Sequence, residues 1–376
     1  MKVLVIGAGV AGTAAAWAAA RASAEVVVVH DRAGASALGS GAADFDPWER
    51  ARAPHELGAE EAEHLRALGY VAGSEPCLLA TSAGLLRPAR ARDGALLDLA
   101  ELGGRRIAVA ELVRDDWDAP LLAHALSETA WAKRTGTRFE PRALELDAER
   151  ALPAYDFAAR FEDEAELEKL GAELAKAGGG ADAWLLGPWL GTKPGVAEAL
   201  RKRVELPLGE ALSLPGGAAG ARFEAARDAL LSERSIQVRR ARVERVSAST
   251  AVLEGGEELA VDRVVLALGG VLAGGIVLDP ARPDHPGGAG LRPSLDAPVV
   301  LELDGLPVDA VSTLHGVDLA SHGVELLERV GIAVSGAAAR GAPGIFVAGD
   351  AVADRPRTFL RALASGLAAG RAAAGD

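Results

Sequence analysis

Hydrophobic residues near the N terminus form short runs separated by a glycine-rich turn. Val3–Ile6 is rich in β-branched residues, Gly7–Gly12 in glycine, Thr13–Arg21 in alanine, and Glu25–His30 is again β-branched. This pattern predicts a strand, a turn, a helix and a second strand. The uncharged run Val3–Ala20 also imitates a secretory signal or a membrane span. The turn glycines and the second strand favour a folded βαβ unit instead.

Further short apolar runs lie late in the chain. Residues 238–246 alternate as an exposed strand would, and Ala251–Val261 is typical of a hairpin around its glycines. Asp262–Gly270 and Gly344–Asp350 indicate buried strands that end in glycine or Gly-Asp, and Arg361–Ala374 indicates an alanine-rich helix. We therefore predict an α/β fold with buried parallel strands.

Composition limits the classes of protein that fit this pattern. The chain has 376 residues, 49% of them apolar and 25% charged, enough for two domains with buried cores. The net charge is −13 and no segment gathers Lys and Arg into a stripe, so nucleic acid is not an expected partner. The one cysteine, Cys77, excludes an internal disulfide, a CxxC redox pair, a cysteine-ligated iron–sulfur cluster and a zinc knuckle in this sequence. Electron transfer would therefore need a bound cofactor.

The first turn has the pattern GxGxxG. The chain has 45 glycines, so the motif carries meaning only through its place between a strand and a helix. There Gly7 permits a tight turn, Gly9 lets the backbone approach a pyrophosphate, and Gly12 lets the helix pack on the strand. The helix N terminus at Val10 and Ala11 offers N–H donors and a positive dipole end. The motif predicts a dinucleotide site, with a simple tight turn as the alternative.

The second strand ends where an acidic residue usually binds a ribose. Here His30 lies 23 residues after Gly7, and Asp31 follows it. Asp31 is the predicted ribose ligand after a one-residue shift, and donation from His30 is the alternative.

The late strands, in this order, resemble parts of a glutathione-reductase-type FAD domain. The turn Leu266–Gly270 is similar to that family's ATG-like turn, and Gly349-Asp350 to its late Gly-Asp. The resemblance implies an aspartate on the ribityl chain and a following helix whose N terminus points at the pyrimidine edge of the flavin, where reduced flavin is anionic. FAD is the predicted cofactor and FMN the alternative. The cofactor contacts implied on these strands are Val243, Ala267, Gly269, Gly349 and Asp350.

A narrower resemblance runs along most of the chain, to the B subunit of the anaerobic glycerol-3-phosphate dehydrogenase. It implies a flavoprotein that oxidises glycerol 3-phosphate to dihydroxyacetone phosphate. It also implies two partners, a flavoprotein A-like subunit and an iron–sulfur, membrane-associated C-like subunit that passes electrons toward quinone. Ser40 and Gly41 join the cofactor contacts on this ground. The segments that carry the resemblance are Ser40–Asp44, Gly84–Pro88, Arg106–Ala110, Trp117–Ala119, Leu214–Phe223, Gly269-Gly270 and Gly274–Ile276.

Two departures from this family touch the flavin site. Ala351–Phe359 replaces a glycine-rich segment after Gly349-Asp350, and His30 stands at the acidic position. They leave open whether the cofactor is FAD, FMN or absent.

Candidate residues for chemistry are few. Arginine suits a phosphorylated substrate, and Arg87 and Arg222 lie on segments that match the family. The catalytic base is not identified, since His55 and His64 are expected on a solvated helix face and His285 and His315 in ordinary loops. No metal site is predicted. Further basic candidates are Lys193, in a loop, and Arg355, Arg357 and Arg361, which could face a flavin phosphate or a partner.

The elements are assigned to two domains. The Rossmann-like FAD-binding domain comprises residues 1–75, 200–280 and 335–376. An inserted α/β domain comprises residues 76–199, and residues 281–334 return to it. It contains βα-like units at Arg106–Leu126 and Ala183–Arg203, with an acidic helical stretch, Phe161–Lys176, between them.

The expected location is the cytoplasm. The other long apolar run, Val264–Leu278, is too short to span a bilayer and contains two glycine pairs, so no direct insertion is expected. Any contact with the inner membrane would be made through partner subunits.

Three functions remain open at this point. The first is a flavin-dependent dehydrogenase subunit that acts on a small hydroxy substrate such as glycerol 3-phosphate. The second is a structural or assembly subunit with a degraded flavin site. The third is a stand-alone flavin oxidase or dehydrogenase for another small substrate.

Overall fold

The computed structural model describes residues 1–45, 57–279, 290–308 and 329–375. They divide into two compact units. The first unit holds Met1–Ser36, Phe45 and the described residues from Ala229 onward. The second holds Ala37–Asp44 and the described residues from 57 to Asp228.

Short strands dominate both units. The strands are β1 (Lys2–Ile6), β2 (Glu25–His30), β3 (Ala42–Ala43), β4 (Tyr70–Ala80), β5 (Leu86–Asp93), β6 (Arg106–Glu111), β7 (Arg138–Ala143), β8 (Ala183–Leu186), β9 (Leu208–Glu210), β10 (Gln237–Arg240), β11 (Val243–Val246), β12 (Thr250–Leu253), β13 (Glu258–Ala260), β14 (Arg263–Leu266), β15 (Ile276–Asp279), β16 (Gly290–Pro293), β17 (Leu301–Leu303), β18 (Leu306–Pro307), β19 (Gly331–Ile332), β20 (Val334–Ser335), β21 (Ala338–Ala339) and β22 (Ile345–Val347).

Helices connect the strands and cover the sheets. The described α-helices are α1 (Val10–Arg21), α2 (Ala59–Ala67), α3 (Ala119–Ser127), α4 (Ala130–Thr135), α5 (Ala154–Arg160), α6 (Glu164–Ala177), α7 (Val196–Val204), α8 (Ala218–Glu233) and α9 (Phe359–Ala374). Among the described residues, none of these helices has the length and apolar character needed to cross a bilayer.

A seven-stranded sheet forms the centre of the first unit. Its order is β10-β2-β1-β14-β22-β21-β20, and the first five strands are parallel. β1 lies between β2 and β14 and is buried from Val3 onward, as expected for a parallel strand whose two faces are both covered. The predicted N-terminal strand, turn, helix and strand are confirmed, although the helix begins at Val10 rather than Thr13. The Rossmann-like fold class is confirmed.

Residues predicted as one exposed strand, 238–246, form two. β10 extends the main sheet in parallel with β2, whereas β11 pairs with β12 in a separate antiparallel sheet. The hairpin predicted over Ala251–Val261 is confirmed as β12 and β13. Its turn glycines, Gly255 and Gly256, have φ of 91° and 85°, a conformation that favours glycine.

Helices α1 and α9 pack backbone against backbone on the first sheet. A Cβ atom at Gly366 would overlap the carbonyl oxygen of Ala11, and one at Gly370 would overlap that of Ala15. Every residue of α1 from Val10 to Ala19 is buried, and most of these residues are alanine. The small side chains therefore set the distance between the two helices.

The second unit contains its own α/β layer. Strands β7, β6, β8 and β9 form a parallel sheet in that order, and β3, β5 and β4 form an antiparallel sheet. Its core is aromatic, with Trp189 in edge contact with Trp117 and Phe157 at centroid distances of 6.2 Å and 5.6 Å. The predicted βα units appear as β6 with α3 and β8 with α7.

The predicted domain boundaries differ from the observed units. Residues 57–75 and 200–228, assigned to the first domain, lie in the second unit, where β4 pairs with β5 and β9 pairs with β8. The described residues between 290 and 334, assigned to the second domain, lie in the first unit, where β16 pairs with β15. Strand pairing decides both differences, because β4, β9 and β16 each pair with a strand of the unit in which they lie.

The burial of His64 also differs from what the sequence predicted. Its side chain was expected on the solvated face of α2, but it is 0% exposed. Burial lowers its pKa from 6.5 to about 3, because the charged imidazolium is poorly solvated there. The adjacent Leu65 is buried with it, whereas Glu60, Glu61 and Glu63 of α2 are half-buried.

We expect Gly366→Ala to destabilise the protein by about 1–3 kcal/mol, because the new methyl group must displace the α1 backbone. Urea unfolding measures this change. Gly171→Ala in α6 is the matched control, since its Cβ would lie 3.4 Å from the flexible Arg203 side chain. The control should gain helix propensity, up to about 1 kcal/mol. A Gly366→Ala protein as stable as the wild type would contradict close helix packing.

We expect His64 to make stability depend on pH. The unfolded chain binds a proton near pH 6.5 and the folded chain only near pH 3, so the unfolding free energy falls as pH falls between these values. The loss from His64 between pH 7.5 and 4.5 is about 2–3 kcal/mol. Urea unfolding of His64→Leu should show a correspondingly smaller pH dependence than the wild type. Equal slopes for the two proteins would show that His64 does not titrate in this way.

Candidate functional site

Three turns meet at one edge of the first sheet. They follow β1, β14 and β22, which are neighbours in the sheet and parallel. A Cβ atom at Gly7 would overlap the carbonyl oxygen of Ala267, and one at Gly349 would lie 2.7 Å from the Cβ of Ala11. Carboxyl ends of parallel strands are where α/β sheets bind ligands. The structure thus brings the three predicted glycine motifs together.

The first turn depends on Gly7 and Gly12. Gly7 has φ of +106°, which favours glycine, and its N–H donates to the carbonyl oxygen of Val29 at 2.8 Å. A Cβ atom at Gly12 would overlap the Gly7 carbonyl. These two glycines allow the chain to turn sharply from β1 into α1.

Gly9 has a different role because its backbone is ordinary and its surroundings are open. It is the N-cap of α1 with φ of −70°, and a Cβ atom there would meet only the Ser36 hydroxyl, at 3.4 Å. The first turn of α1 presents the N–H groups of Val10, Ala11 and Gly12, which have no carbonyl partner in the preceding turn. The positive end of the helix dipole lies at the same place. This is a cradle for an anion such as a pyrophosphate.

Ser36 belongs to this cradle, and sequence reasoning missed it. Its hydroxyl oxygen accepts a hydrogen bond from the Val10 N–H at 3.0 Å. A hydroxyl that accepts one bond keeps its own proton for donation, so Ser36 is compatible with an anionic ligand. Ser36 lies 26 positions after Val10, and the sequence carries no local signal for this contact.

The turn after β14 is built from glycines. Ala267 donates its N–H to the carbonyl oxygen of Ile6 at 2.9 Å, which continues the pairing with β1. Gly269 has φ of +80°. A Cβ atom at Gly270 would lie 2.9 Å from the carbonyl oxygen of Asp350, so this turn packs directly on the third one.

The third turn holds the Gly349-Asp350 pair. Gly349 has φ of +69°, and its N–H donates to the Ser365 hydroxyl of α9 at 2.8 Å. Asp350 is half-buried, and its carboxylate accepts no hydrogen bond from the described residues. Burial raises the pKa of Asp350, and the nearby Arg357 guanidinium partly offsets this rise. The carboxylate can therefore accept a hydrogen bond from a ligand hydroxyl.

His30 and Asp31 lie at the end of β2, as the βαβ prediction requires. The His30 Nδ1 atom lies 3.4 Å from the carbonyl oxygen of Arg32, and Asp31 is exposed. Arg32 donates from Nη2 to the carbonyl oxygen of Gly274 at 2.9 Å, which ties the end of β2 to the turn after β14. A ribose contact by His30 or by Asp31 stays a prediction.

Three other predicted cofactor contacts lie elsewhere. Ser40 and Gly41 are in the second unit, where their carbonyl oxygens accept the N–H groups of Ser213 at 3.2 Å and Asp93 at 2.7 Å. Val243 begins β11 in the first unit and is buried in its hydrophobic core. Their roles in binding stay predictions.

Arg222, predicted to bind substrate, is buried in an ionic cluster of the second unit. Its guanidinium donates to Asp93 at 2.7 Å, to Glu210 at 2.6 Å and to the carbonyl oxygen of Gly191 at 2.8 Å. All three guanidinium nitrogens of Arg222 therefore have a partner within the second unit. The structure therefore does not support a substrate role for Arg222.

Two members of this cluster, Glu210 and Arg222, have pKa values far from their ordinary ones. Burial raises the pKa of Glu210 to about 7, although the Arg222 guanidinium opposes the rise. Burial lowers the pKa of Arg222, but Asp93 and Glu210 raise it by more, so the guanidinium stays charged. Two buried carboxylates around one cation leave an excess negative charge, which explains why one of them retains a proton readily.

The other basic candidates also have structural partners. Arg87 pairs with Asp44, which also accepts the Arg90 N–H at 3.2 Å. Lys193 pairs with Glu162 at 2.7 Å.

The arginines after Gly349-Asp350 mostly bind the first unit's own backbone. Arg357 donates to the carbonyl oxygens of Val352 and Val330, and Arg361 donates to that of Phe45. Arg355 is exposed. His55, His285 and His315 lie outside the described residues.

The three turns fit FAD by their chemistry. Gly9, Val10 and Ala11 would hold the pyrophosphate, Asp350 would accept from ribityl hydroxyls, and His30 or Asp31 would reach the ribose. The open face at Gly9 is the structural feature that meets the pyrophosphate's need for close backbone approach.

Comparisons with known proteins agree on the cofactor. Residues 2–75 match the family described as FAD binding domain. This segment contains β1, α1 and β2 with the first turn. No match was found among curated proteins.

Three solved structures align with nearly all of this chain at low sequence identity and low TM-scores. Iminodiacetate oxidase from Chelativorans sp. BNC1 is 16% identical, with 99% of this chain and 94% of that chain covered and a TM-score of 0.32. Glycine oxidase from Geobacillus kaustophilus is 14% identical, with 97% and 92% covered and a TM-score of 0.34. The GidA-related protein from Thermus thermophilus is 11% identical, with 99% and 96% covered and a TM-score of 0.34. Such distant similarities assign no substrate.

The predicted cofactor and reaction class follow from these findings. The match over residues 2–75 confirms FAD as the cofactor, in agreement with the geometry of the three turns. The predicted class of flavin-dependent oxidoreductase is confirmed as well.

Proposed function

We propose that this chain is a flavin-dependent dehydrogenase that oxidises glycerol 3-phosphate to dihydroxyacetone phosphate as the B-like subunit of a complex. The observation that supports it most is the meeting of the turns after β1, β14 and β22, because together they form one FAD cradle. The substrate and subunit role rest on the resemblance to the anaerobic glycerol-3-phosphate dehydrogenase B subunit along most of the sequence.

The chain's own residues would position the cofactor. The N–H groups at the start of α1 neutralise the pyrophosphate, while Gly9 leaves room for it. Asp350 orients the ribityl chain, and the contact of Gly349 with α9 fixes the position of Asp350. Bound FAD would supply the hydride acceptor that oxidation of a secondary alcohol to a ketone requires. The hydroxyl proton leaves to a base that the described residues do not identify.

The lone cysteine gives this sequence no cysteine-based electron relay of its own. The Cys77 thiol donates to the carbonyl oxygen of Ala89 at 3.2 Å, and burial raises its pKa to about 12. A neutral, buried thiol is a poor redox group. With no second cysteine in the sequence, the resemblance assigns the onward relay to an A-like subunit and an iron–sulfur C-like subunit.

We expect Gly9→Asp to abolish tight FAD binding while the fold is preserved. Asp and Asn are both favoured N-caps, and the φ of −70° at Gly9 suits either residue. Only Asp places a negative charge where the pyrophosphate binds. The affinity for FAD should therefore fall by about tenfold or more in Gly9→Asp relative to Gly9→Asn, as measured by flavin fluorescence titration. Equal affinities in the two variants would argue against pyrophosphate binding at this turn.

We expect anaerobic addition of glycerol 3-phosphate to bleach the flavin absorbance of the purified yellow protein, and glycerol to leave it unchanged. The same titration with a co-expressed A-like subunit tests whether the chain needs its partner. Reduction by another small substrate alone would favour a stand-alone enzyme. A colourless protein that takes up no FAD would favour the assembly subunit with a degraded site, and would overturn the dehydrogenase.

A further inference from the structure

The second unit contains a cavity of about 440 Å³ whose wall is rich in cations. The cavity lies between the end of α2, β5, the start of α7 and α8. A volume of this size accommodates a small metabolite. Its basic lining residues are Arg66, Arg92, Lys193, Arg201 and Arg222.

Two of these cations are already neutralised. Arg222 is held by Asp93 and Glu210, and Lys193 by Glu162. The remaining acidic lining residue, Glu198, pairs with Lys202 at 2.8 Å. These ion pairs leave Arg66, Arg92 and Arg201 as the cations that decide the potential of the cavity.

Arg201 is a half-buried cation without a carboxylate partner among the described residues, since none lies within 4.0 Å of its guanidinium. It donates from Nε to the carbonyl oxygen of Leu208 and from Nη2 to that of Gly94, both at 2.8 Å. The Nη1 group of Arg201 takes part in neither of these two hydrogen bonds. Burial lowers the pKa of Arg201 and the positive charge of Arg92 lowers it further, while the carboxylates of Asp93, Glu198 and Glu210 raise it. The wall thus holds two like charges near each other in poorly solvated surroundings.

Arg92 and Arg66 complete this group. Arg92 donates to the carbonyl oxygen of Leu96 at 3.0 Å, and its nearest carboxylate, on Asp98, is 3.8 Å away. Arg66 is exposed in the last turn of α2. Arg92 and Arg201 place like charges near each other, with no carboxylate of the described residues closer than 3.8 Å to either guanidinium, and this arrangement favours binding of an anion.

We propose that this cavity binds the phosphate group of a small phosphate monoester. Phosphate matches the planar fork of arginine and carries close to two negative charges, which suits a wall that presents more than one arginine. A single carboxylate would leave more of that positive charge uncompensated. This proposal rests on the charges of the cavity and not on the proposed dehydrogenase reaction.

Calorimetric titration of the FAD-loaded full chain with inorganic phosphate and with glycerol 3-phosphate tests the proposal. We expect saturable binding of both that weakens with added salt, no binding of glycerol, and weaker binding of succinate than of phosphate. Absence of saturable phosphate binding, or tighter binding of succinate, would overturn it. Failure of glycerol 3-phosphate to reduce the flavin would leave these binding results unaffected, so the two proposals are tested separately.

Substitutions of single arginines test whether phosphate binds in this cavity. Arg201→Gln and Arg92→Gln should each weaken phosphate binding by about tenfold or more, and Arg201→Lys by less, because it keeps the charge but loses the fork. Arg66→Gln, whose side chain is exposed, tests the same cavity with little risk to folding. Arg134→Gln removes an exposed charge from α4, outside the cavity, and should leave the affinity unchanged. Equal affinities in Arg66→Gln, Arg92→Gln and the Arg134→Gln control would place binding elsewhere and refute the proposal.

Discussion

The close approach of α1 and α9 is the constraint on which the cofactor site depends. Gly366 and Gly370 leave no side chain between α9 and the α1 carbonyls, so the two helices lie almost in backbone contact. This places Gly349, in the turn that follows β22, beside Ala11 in the first turn of α1. A bulkier interface would separate the turn that binds pyrophosphate from the turn that carries Asp350. The alanine-rich composition of both helices therefore serves the geometry of the site as well as the core.

Local backbone requirements were the predictable part of this site. Gly7 and Gly12 lie where a strand turns directly into a helix, a geometry that requires glycine. Both positions could therefore be recognised from the sequence alone. The contacts of Ser36 with Val10 and of Ser365 with Gly349 could not be predicted, because serine hydroxyls are frequent and their partners are chosen by the tertiary fold.

Charged residues were harder to place than glycines. Arg222 suggested a free phosphate ligand, yet its partners Asp93 and Glu210 come from different strands, and only the fold of the second unit brings them together. His64 lies in a helix rich in charge, but one neighbour, Leu65, shares its buried side. For both residues the sequence pattern identifies a candidate side chain, whereas burial in the fold determines which interactions that side chain can make.

The order of the motifs carries information that no single segment holds. The FAD binding domain match ends at residue 75, within the second unit, and the chain rejoins the first sheet only at β10. The turns after β14 and β22 lie far from that match, and neither is distinctive in a chain with 45 glycines. They acquire meaning because β1, β14 and β22 become adjacent, parallel strands, whose carboxyl ends must meet. The site is therefore a property of strand order, and a substitution that disturbs this order would remove it even if every glycine were retained.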